Sequence, residues 1–249
     1  MLPLRGAWPG GSVALTCVTL VDARRALLGR LIDHAALFPP ASLPMPEALA
    51  EDRRARESRY SWMLGRFVCP ASKLAELGDE NRALSVVADA PADDPRIESL
   101  ETRTLGRYAG EVYVEGVSLD LVAVRGLRAK VRCGGERVPP VEELAAFVRG
   151  CRARRLVFKA TAGLHHAYPT EAGEHGFLNL LAAAVFGREE EALRARPGDF
   201  ELDDRSFRWQ GRIASSRQLA RVRETLFHSI GSCSFFEPVE ELQALGILS

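Results

Sequence analysis

Two lysines stand in apolar runs of this sequence, and lysine is otherwise nearly absent. Of 33 basic residues, only Lys73, Lys130 and Lys159 are lysines. Lys130 and Lys159 each precede a glycine by four residues and lie 29 residues apart, about the length of one strand-helix-strand repeat. Because arginine supplies positive charge elsewhere, lysine at these two positions indicates a need for a nitrogen that can lose its proton. The pattern predicts amine chemistry.

Lys159 is the preferred nucleophile. Burial and nearby cations lower the pKa of an amine, and we expect Lys130 and Arg132 to lie beside Lys159 on the adjacent strand. The pKa of Lys159 would then fall from about 10.4 toward neutrality. Thr161 follows on the same strand face and is placed to hydrogen-bond a carbinolamine, whereas Lys130 is followed there by Arg132, which suits an anion.

From residue 62 onward, short apolar runs alternate with amphipathic stretches, a pattern typical of a parallel sheet with intervening helices. The predicted strands are 64–69, 84–89, 111–116, 129–133, 157–161 and 227–231. The predicted helices are 71–77, 96–103, 119–124, 140–152, 176–186, 216–225 and 238–245. Weaker strand signals at 14–20 and 206–209 bring the strand count to eight.

The two faces of the middle strands differ. Alternate side chains on one face are apolar, and those on the other become polar near the carboxyl end, including Asp89, Glu115, Lys130 and Lys159. A closed sheet hides such a face better than an open sheet covered by helices. We therefore predict an α/β fold of the TIM-type (β/α)-barrel class, regular or irregular. These four side chains should point into one interior, with Glu115 and Asp89 moving protons.

The N-terminal quarter lacks this alternation. Residues 21–38 have apolar residues at helical spacing and end at two prolines, and the charged stretch 47–59 predicts an exposed helix. We predict one barrel-like domain over 1–249, with 1–60 as a helical extension packed on it. Such packing would bring Asp33 and His34 to the pocket.

The histidines offer a second chemistry. His165 and His166 follow the Lys159 strand, and together with His34, Asp33 and Glu115 they could ligate a divalent metal such as Zn²⁺. A metal-dependent lyase, isomerase or hydrolase is thus an alternative, and the amine mechanism itself requires no cofactor. Acid/base work or substrate binding by one histidine, His165 first, is a further alternative.

Glycines end several of the predicted strands. Gly134, Gly163 and the segment around Ser232 offer backbone N–H groups that suit a phosphate or carboxylate, alongside Arg132. The alternative is that these glycines only turn the chain. The predicted substrate-binding residues are Arg132, Thr161, Gly134, Gly163, Ser232 and His165.

Two family resemblances attach to these motifs. Phe158-Lys-Ala-Thr-Ala-Gly163 resembles the lysine strand end of class I aldolases of the deoxyribose-phosphate type, and 129–135 is similar to their second lysine strand, although the order of the two is reversed. This resemblance implies a barrel in which one lysine forms a Schiff base and the other tunes it. Segments 31–41, 158–166 and 231–238 resemble a bacterial family of hypothetical proteins that implies no activity.

Composition excludes several classes of function. The 33 acidic residues balance the 33 basic ones, so no basic excess indicates nucleic acid. No apolar run reaches the roughly 18 residues of a membrane span, no secretory signal is evident, and the five dispersed cysteines suggest reduced thiols in the cytoplasm. We expect a lyase-like enzyme acting on a small anionic carbonyl metabolite, with homo-oligomerisation left open.

A non-catalytic barrel that binds a ligand remains the other possibility. In that case Lys130 and Lys159 would serve as structural cations, paired with Asp89 and Glu115 in a salt-bridged interior. A cavity at the carboxyl ends of the strands would distinguish the two alternatives, because a barrel packed solid with paired charges would leave none.

Overall fold

Eight parallel strands close into a barrel in the computed structural model, which describes residues 22–108 and 110–248. The strands of the chain are β1 (Ile32–His34), β2 (Leu64–Pro70), β3 (Leu84–Val87), β4 (Ile97–Thr102), β5 (Glu111–Glu115), β6 (Arg128–Arg132), β7 (Phe158–Thr161), β8 (Phe200–Leu202), β9 (Ser206–Trp209), β10 (Arg212–Ser215) and β11 (Phe227–Ser232). The barrel runs from β1 through β7 and closes when β11 pairs with both β7 and β1. The predicted TIM-type (β/α) barrel is confirmed.

Helices surround the barrel unevenly. They are α1 (Ala23–Leu28), α2 (Met45–Glu57), α3 (Leu119–Val124), α4 (Val141–Arg154), α5 (Phe177–Phe186), α6 (Glu189–Leu193), α7 (Ser216–Thr225) and α8 (Phe236–Ala244), with short 3₁₀ helices at Ser61–Met63 and Ala71–Leu77. Within the described residues, no helix follows β3 or β4, so the barrel is irregular on that side. No helix in the described ranges is long and apolar enough to cross a membrane.

The hydrophobic core lies between the outer strand faces and the helices. On α4, the buried residues Leu144, Ala145, Val148 and Cys151 recur at helical spacing and face the barrel. The strand side of this contact includes Phe158, whose ring stacks on Phe227 at a centroid distance of 4.8 Å. Apolar side chains therefore leave the strands outward, and the opposite parity turns inward.

Most of the predicted elements from residue 62 onward are confirmed to within a few residues. The exception is 96–103, which is the strand β4 and not a helix. Its interior-facing residues are Ser99 and Glu101, which are 1% and 2% exposed. The charged residues of this segment are typical of a solvated helix, and only the period-two placement of Ser99 and Glu101 indicates a strand.

The helix predicted over 21–38 is also wrong. Helix α1 ends at Leu28, Arg30 adopts a left-handed conformation with φ of 48°, and the chain then enters β1. Leu31 and Ile32 are buried, as helical spacing predicted, but they belong to a different element. Residues 32–34 are thus part of the barrel itself and not of an extension packed on it.

The two weak strand signals did not supply the missing barrel strands. Residues 206–209 form β9, which pairs with β8 and β10 in a separate antiparallel sheet. Residues 14–20 lie outside the described residues. The predicted total of eight barrel strands is correct because β1 and β4, both predicted as helix, take these two places.

Close packing of β1 against β2 generates a stability prediction at Gly65. A Cβ atom there would lie 2.4 Å from Asp33 Oδ1 and 3.1 Å from the Ile32 carbonyl oxygen. We expect Gly65→Ala to lower the free energy of unfolding by about 1–3 kcal/mol because β1 or the Asp33 side chain must move. Urea denaturation measures this loss. Gly106→Ala is the control, since its Cβ would meet only the movable ring of Tyr108; equal losses in the two variants would contradict the prediction.

Candidate active site

Lys159 occupies the centre of the barrel interior. Its side chain is fully buried, and Nζ donates hydrogen bonds to Asp33 Oδ2 at 2.7 Å and to Glu101 Oε1 at 2.6 Å. A third, longer bond reaches Ser85 Oγ at 3.3 Å. The ammonium group is therefore enclosed by two carboxylates and a hydroxyl.

Lys130 lies beside Lys159 in the aligned register of β6 and β7. Its Nζ is 2.7 Å from Glu101 Oε2 and 3.2 Å from Glu115 Oε2, and its side chain is 9% exposed. Glu101 consequently bridges the two lysines, with one oxygen for each. The predicted adjacency of the lysines and Glu115 in one interior is confirmed.

The electrostatics of this network oppose the expected activation of Lys159. Burial alone would lower the pKa of Lys159, but Asp33 and Glu101 outweigh burial and raise the pKa above its usual value. Burial alone would likewise raise the pKa of Glu101, and the two lysines instead hold that pKa far below its usual range. The predicted fall of the Lys159 pKa toward neutrality is wrong because the neighbours that decide it are carboxylates, not cations.

Asp89 is not part of the interior. Strand β3 ends at Val87, and the exposed Asp89 carboxylate accepts hydrogen bonds from the backbone N and the hydroxyl of Ser72, at 2.9 and 2.5 Å. Its predicted position in the shared interior is wrong, and Glu101 of β4 is the interior acid in its place. The helix prediction over 96–103 concealed this residue.

Asp33 reaches the network from β1. Besides Lys159, its Oδ2 accepts a hydrogen bond from Ser229 Oγ at 2.8 Å, and its Oδ1 accepts one from the backbone N of Arg66 at 2.8 Å. Burial alone would raise the pKa of Asp33, but Lys159 and Arg66 hold it below its usual value. The prediction that a packed helix brings both Asp33 and His34 to the pocket is confirmed only in part. Asp33 contacts Lys159, but it does so from a strand, and His34 does not accompany it.

A cavity of about 380 Å³ opens at the carboxyl ends of the strands. Lys130, Arg132 and His165 line it together with Glu101 and Thr161, and the opposite wall is apolar. Among these wall residues are Phe38, Pro39, Val68 and Val87. The cavity therefore combines cationic groups with an apolar surface.

A second cavity, of about 690 Å³, lies on the other side of Lys130. Lys130 and Arg132 line both cavities. Arg103 and Arg137 also line the second, where they pair with Glu115 and Glu143. Arg132 is exposed and forms no ion pair within the described part of the chain. Its guanidinium is thus open to an anion from outside.

The predicted glycine positions serve close backbone packing. A Cβ at Gly134 would lie 2.8 Å from the Gly163 Cα, and Gly163 has a φ of 66°. Gly134 lines the larger cavity and Gly163 the smaller. Thr161 Oγ1 is buried and lacks a hydrogen-bond partner among the described residues, so it can still accept or donate one.

The metal site predicted from His165, His166, His34 and Asp33 is not assembled. His34 turns away from the barrel interior and is buried 3.4 Å from both Glu51 and Asp52. Burial alone would lower the pKa of His34, but these two carboxylates outweigh it and raise the pKa. Asp33 is engaged by Lys159, which leaves the predicted set without two of its ligands.

The two adjacent loop histidines also separate. His166 contacts Glu241 at 3.1 Å and Glu174 at 3.6 Å. His165 lines the smaller cavity, and its Nδ1 lies 3.4 Å from Oγ of the buried Ser232. His165 and Ser232 thus lie at the carboxyl end of the barrel, as predicted.

Comparisons with known proteins give no independent guide to this site. No family model matches the chain, no curated protein matches it, and no solved structure matches it. The resemblance to aldolases therefore stays a prediction.

The enclosed lysine generates a prediction about stability and pH. We expect Lys159→Met to lower the free energy of unfolding by about 3–5 kcal/mol near neutral pH, because Asp33 and Glu101 would stay buried without their shared cation. Glu101 keeps Lys130 as a partner, so the larger effect falls on Asp33, whose folded-state pKa rises above the unfolded value of about 3.9 when Lys159 is removed. Stability gained by protonating Asp33 is present at low pH and lost as the pH rises through the raised value.

Urea unfolding at pH 8 and pH 5 tests this. In the wild-type protein the pKa values of Asp33 and Glu101 are lowered, so their contribution is present throughout this window and is lost only at more acidic pH. The difference in free energy of unfolding between the wild type and Lys159→Met should therefore be smaller at pH 5 than at pH 8. Lys73→Met, in the Ala71–Leu77 helix, is the control, and its free energy of unfolding relative to the wild type should not change between the two pH values. A difference of the same size at pH 8 and pH 5 for Lys159→Met would be evidence against the ion-pair network.

Proposed function

We propose that the protein is a (β/α)-barrel enzyme, aldolase- or lyase-like, that acts on a small anionic carbonyl metabolite through a Schiff base on Lys130. One observation carries this proposal. All three lysines lie in the described residues, and Lys130 is the one that lines the cavity at the carboxyl ends of the strands. Lys159, the nucleophile preferred from sequence, is fully buried behind it. In this proposal Lys130 is the nucleophile and Lys159 the supporting residue, the reverse of the assignment preferred from the sequence.

Glu115 is the proposed proton carrier. In the first step the Lys130 ammonium gives a proton to Glu115, whose Oε2 is 3.2 Å away. The neutral amine then attacks the substrate carbonyl carbon, and a proton passes from its nitrogen to the carbonyl oxygen to give a carbinolamine. Glu115 returns its proton to the departing hydroxyl, so that water leaves and the protonated imine forms.

Lys159 acts as a positioning residue in this scheme. Its charge holds Glu101 ionised and fixed, and Glu101 in turn orients the Lys130 amine at 2.7 Å. Glu101 lines the proposed substrate cavity but contacts both lysines, so we assign it to orienting the amine, and we assign proton transfer to Glu115, which lines the neighbouring cavity beside Lys130. A permanently charged Lys159 therefore suits the mechanism better as a support than as a nucleophile.

Arg132 is the proposed anion-binding group. It follows Lys130 on the same face of β6 and lines the same cavity, with no ion pair in the part of the chain described here. Guanidinium binds carboxylate and phosphate through two parallel hydrogen bonds. Thr161 Oγ1, which has no partner among the described residues, is available for the carbinolamine hydroxyl.

The cavity favours a barrel that takes up a small molecule over one packed solid with paired charges. The interior is rich in paired charges, as the salt-bridged alternative requires, but these do not fill the carboxyl end, where about 380 Å³ is open. The sequence-based expectations of a cytoplasmic location, and of neither nucleic-acid nor membrane partners, are kept as part of this proposal.

Borohydride trapping tests the nucleophile. Incubation with a panel of small aldehydes, keto acids and ketone phosphates, followed by borohydride, should leave a stable adduct on Lys130, located by peptide mass spectrometry. Lys130→Arg should abolish it, because guanidinium keeps the charge but forms no imine under these conditions. An adduct on Lys159 would restore the original assignment, and the lack of any adduct across the panel would remove support for amine catalysis.

Substitution of Arg132 tests the anionic substrate. We expect Arg132→Met to raise the half-saturating concentration for trapping by ketone phosphates or keto acids by about tenfold to a hundredfold, since a charged hydrogen bond contributes about 1.5–3 kcal/mol. Trapping by neutral aldehydes should change little. Arg137→Met is the matched control, because Arg137 lines the neighbouring cavity but already pairs with Glu143. An equal effect on charged and neutral compounds would contradict the role of Arg132.

A further inference from the structure

Three potential metal ligands of different chemistry meet at the rim of the smaller cavity. His165 lies in the loop after β7, Cys233 follows β11 directly, and Glu237 is in the first turn of α8. One ligand atom from each lies within 4.8 Å of the other two. None of the three takes part in the lysine network.

The distances distinguish a metal site from a catalytic relay. In a cysteine–histidine–carboxylate relay, the thiol and the carboxylate must contact opposite nitrogens of the ring. Here Glu237 Oε2 lies 3.3 Å from His165 Nδ1, and Cys233 Sγ is almost equidistant from the two ring nitrogens, at 3.7 Å from Nδ1 and 3.9 Å from Nε2. The thiol is not directed at Nε2 in preference to Nδ1, as a relay requires. The relay arrangement is therefore not formed.

The same distances fit the edges of a metal coordination polyhedron. Zinc binds sulfur at about 2.3 Å, imidazole nitrogen at about 2.0–2.1 Å and carboxylate oxygen at about 2.0–2.2 Å in tetrahedral geometry, which places neighbouring ligand atoms about 3.3–3.6 Å apart. The Sγ–Nδ1 distance of 3.7 Å and the Oε2–Nδ1 distance of 3.3 Å lie close to these values, and the third edge, between Cys233 and Glu237, is within 4.8 Å. Thiolate and imidazole together favour zinc over magnesium or calcium.

We propose that His165, Cys233 and Glu237 bind a zinc ion or a similar thiophilic divalent cation. Three protein ligands leave a fourth position, which is the pattern of zinc sites that accept water or substrate. His165 and Cys233 line the 380 Å³ cavity, so a ligand at the fourth position would be within reach of that space. This site does not depend on the Schiff-base chemistry of Lys130.

Neighbouring contacts hold the ligand-bearing turn in place. Glu51 of α2 accepts hydrogen bonds from Ser234 Oγ and from the backbone N of Phe235, both at 3.2 Å. These two residues lie between Cys233 and Glu237, so α2 fixes the turn that carries both ligands. Such outer contacts are a usual part of metal sites.

Cobalt and zinc titrations of tag-free, chelator-treated protein test the site. Co²⁺ should bind with a stoichiometry of one and give a thiolate-to-cobalt charge-transfer band, and Zn²⁺ should displace it. Cys233→Ser should abolish the band. His165→Gln and the largely exposed Glu237→Gln should weaken Zn²⁺ binding by about tenfold or more, since even outer-shell losses cost about 10–100-fold.

Matched controls come from neighbours that share residue type but not position. His166→Gln and Cys69→Ser should leave both the band and the Zn²⁺ affinity unchanged, because His166 contacts Glu174 and Glu241 and Cys69 belongs to β2. The proposal is overturned by a band that persists in Cys233→Ser, by a lack of stoichiometric binding in the wild type, or by unchanged affinity in Glu237→Gln. The Glu237 variant keeps the test valid if a substitution of a buried ligand prevents folding.

Discussion

The sharing of one buried carboxylate by two ammonium groups is the interaction on which the barrel interior depends. Glu101 contacts Lys159 through Oε1 and Lys130 through Oε2, at 2.6 and 2.7 Å. Since a buried ion costs several kcal/mol unless it is paired, each of these groups requires the others. Asp33 and Glu115 complete the pairing from β1 and β5. A one-residue slip of any of these strands would turn its charge outward and leave its partner unpaired.

That constraint separates two lysines that look equivalent in sequence. Both follow the same spacing to a glycine and both point inward, yet one is enclosed and the other reaches the cavity. The difference arises from Asp33 and Glu101, which close around Lys159 and raise its pKa. Arginine could not replace Lys159 easily, because its planar guanidinium is larger than an ammonium group and the Lys159 Nζ already contacts Asp33, Glu101 and Ser85 at 2.6–3.3 Å. Lysine thus has a structural role at position 159 and a proposed chemical role at position 130.

The sequence predicts the barrel and half of its network, and fails where elements are short or highly charged. Strands β5 to β7 alternate apolar and polar residues clearly enough to place Glu115, Lys130 and Lys159 in one interior. Strand β1 has three residues, too few for a period to show, and β4 carries Glu98 and Glu101 among few apolar residues. Their side chains gain strand geometry only from pairing with neighbours distant in sequence. The pairing of His34 with α2 and the meeting of His165 with Cys233 are equally long-range, so no local pattern reveals them.

Adjacent residues of β1 connect the two proposed sites. Because successive side chains of a strand point to opposite faces, Asp33 enters the barrel and contacts Lys159, while His34 leaves it and lies between Glu51 and Asp52. Glu51 also holds the turn between Cys233 and Glu237 through Ser234 and the Phe235 backbone. The interior charge network, helix α2 and the proposed metal-binding turn are therefore joined through two consecutive residues of one strand. This arrangement explains why so short a strand carries two buried ionisable side chains: Asp33 anchors the barrel interior, and His34 anchors helix α2.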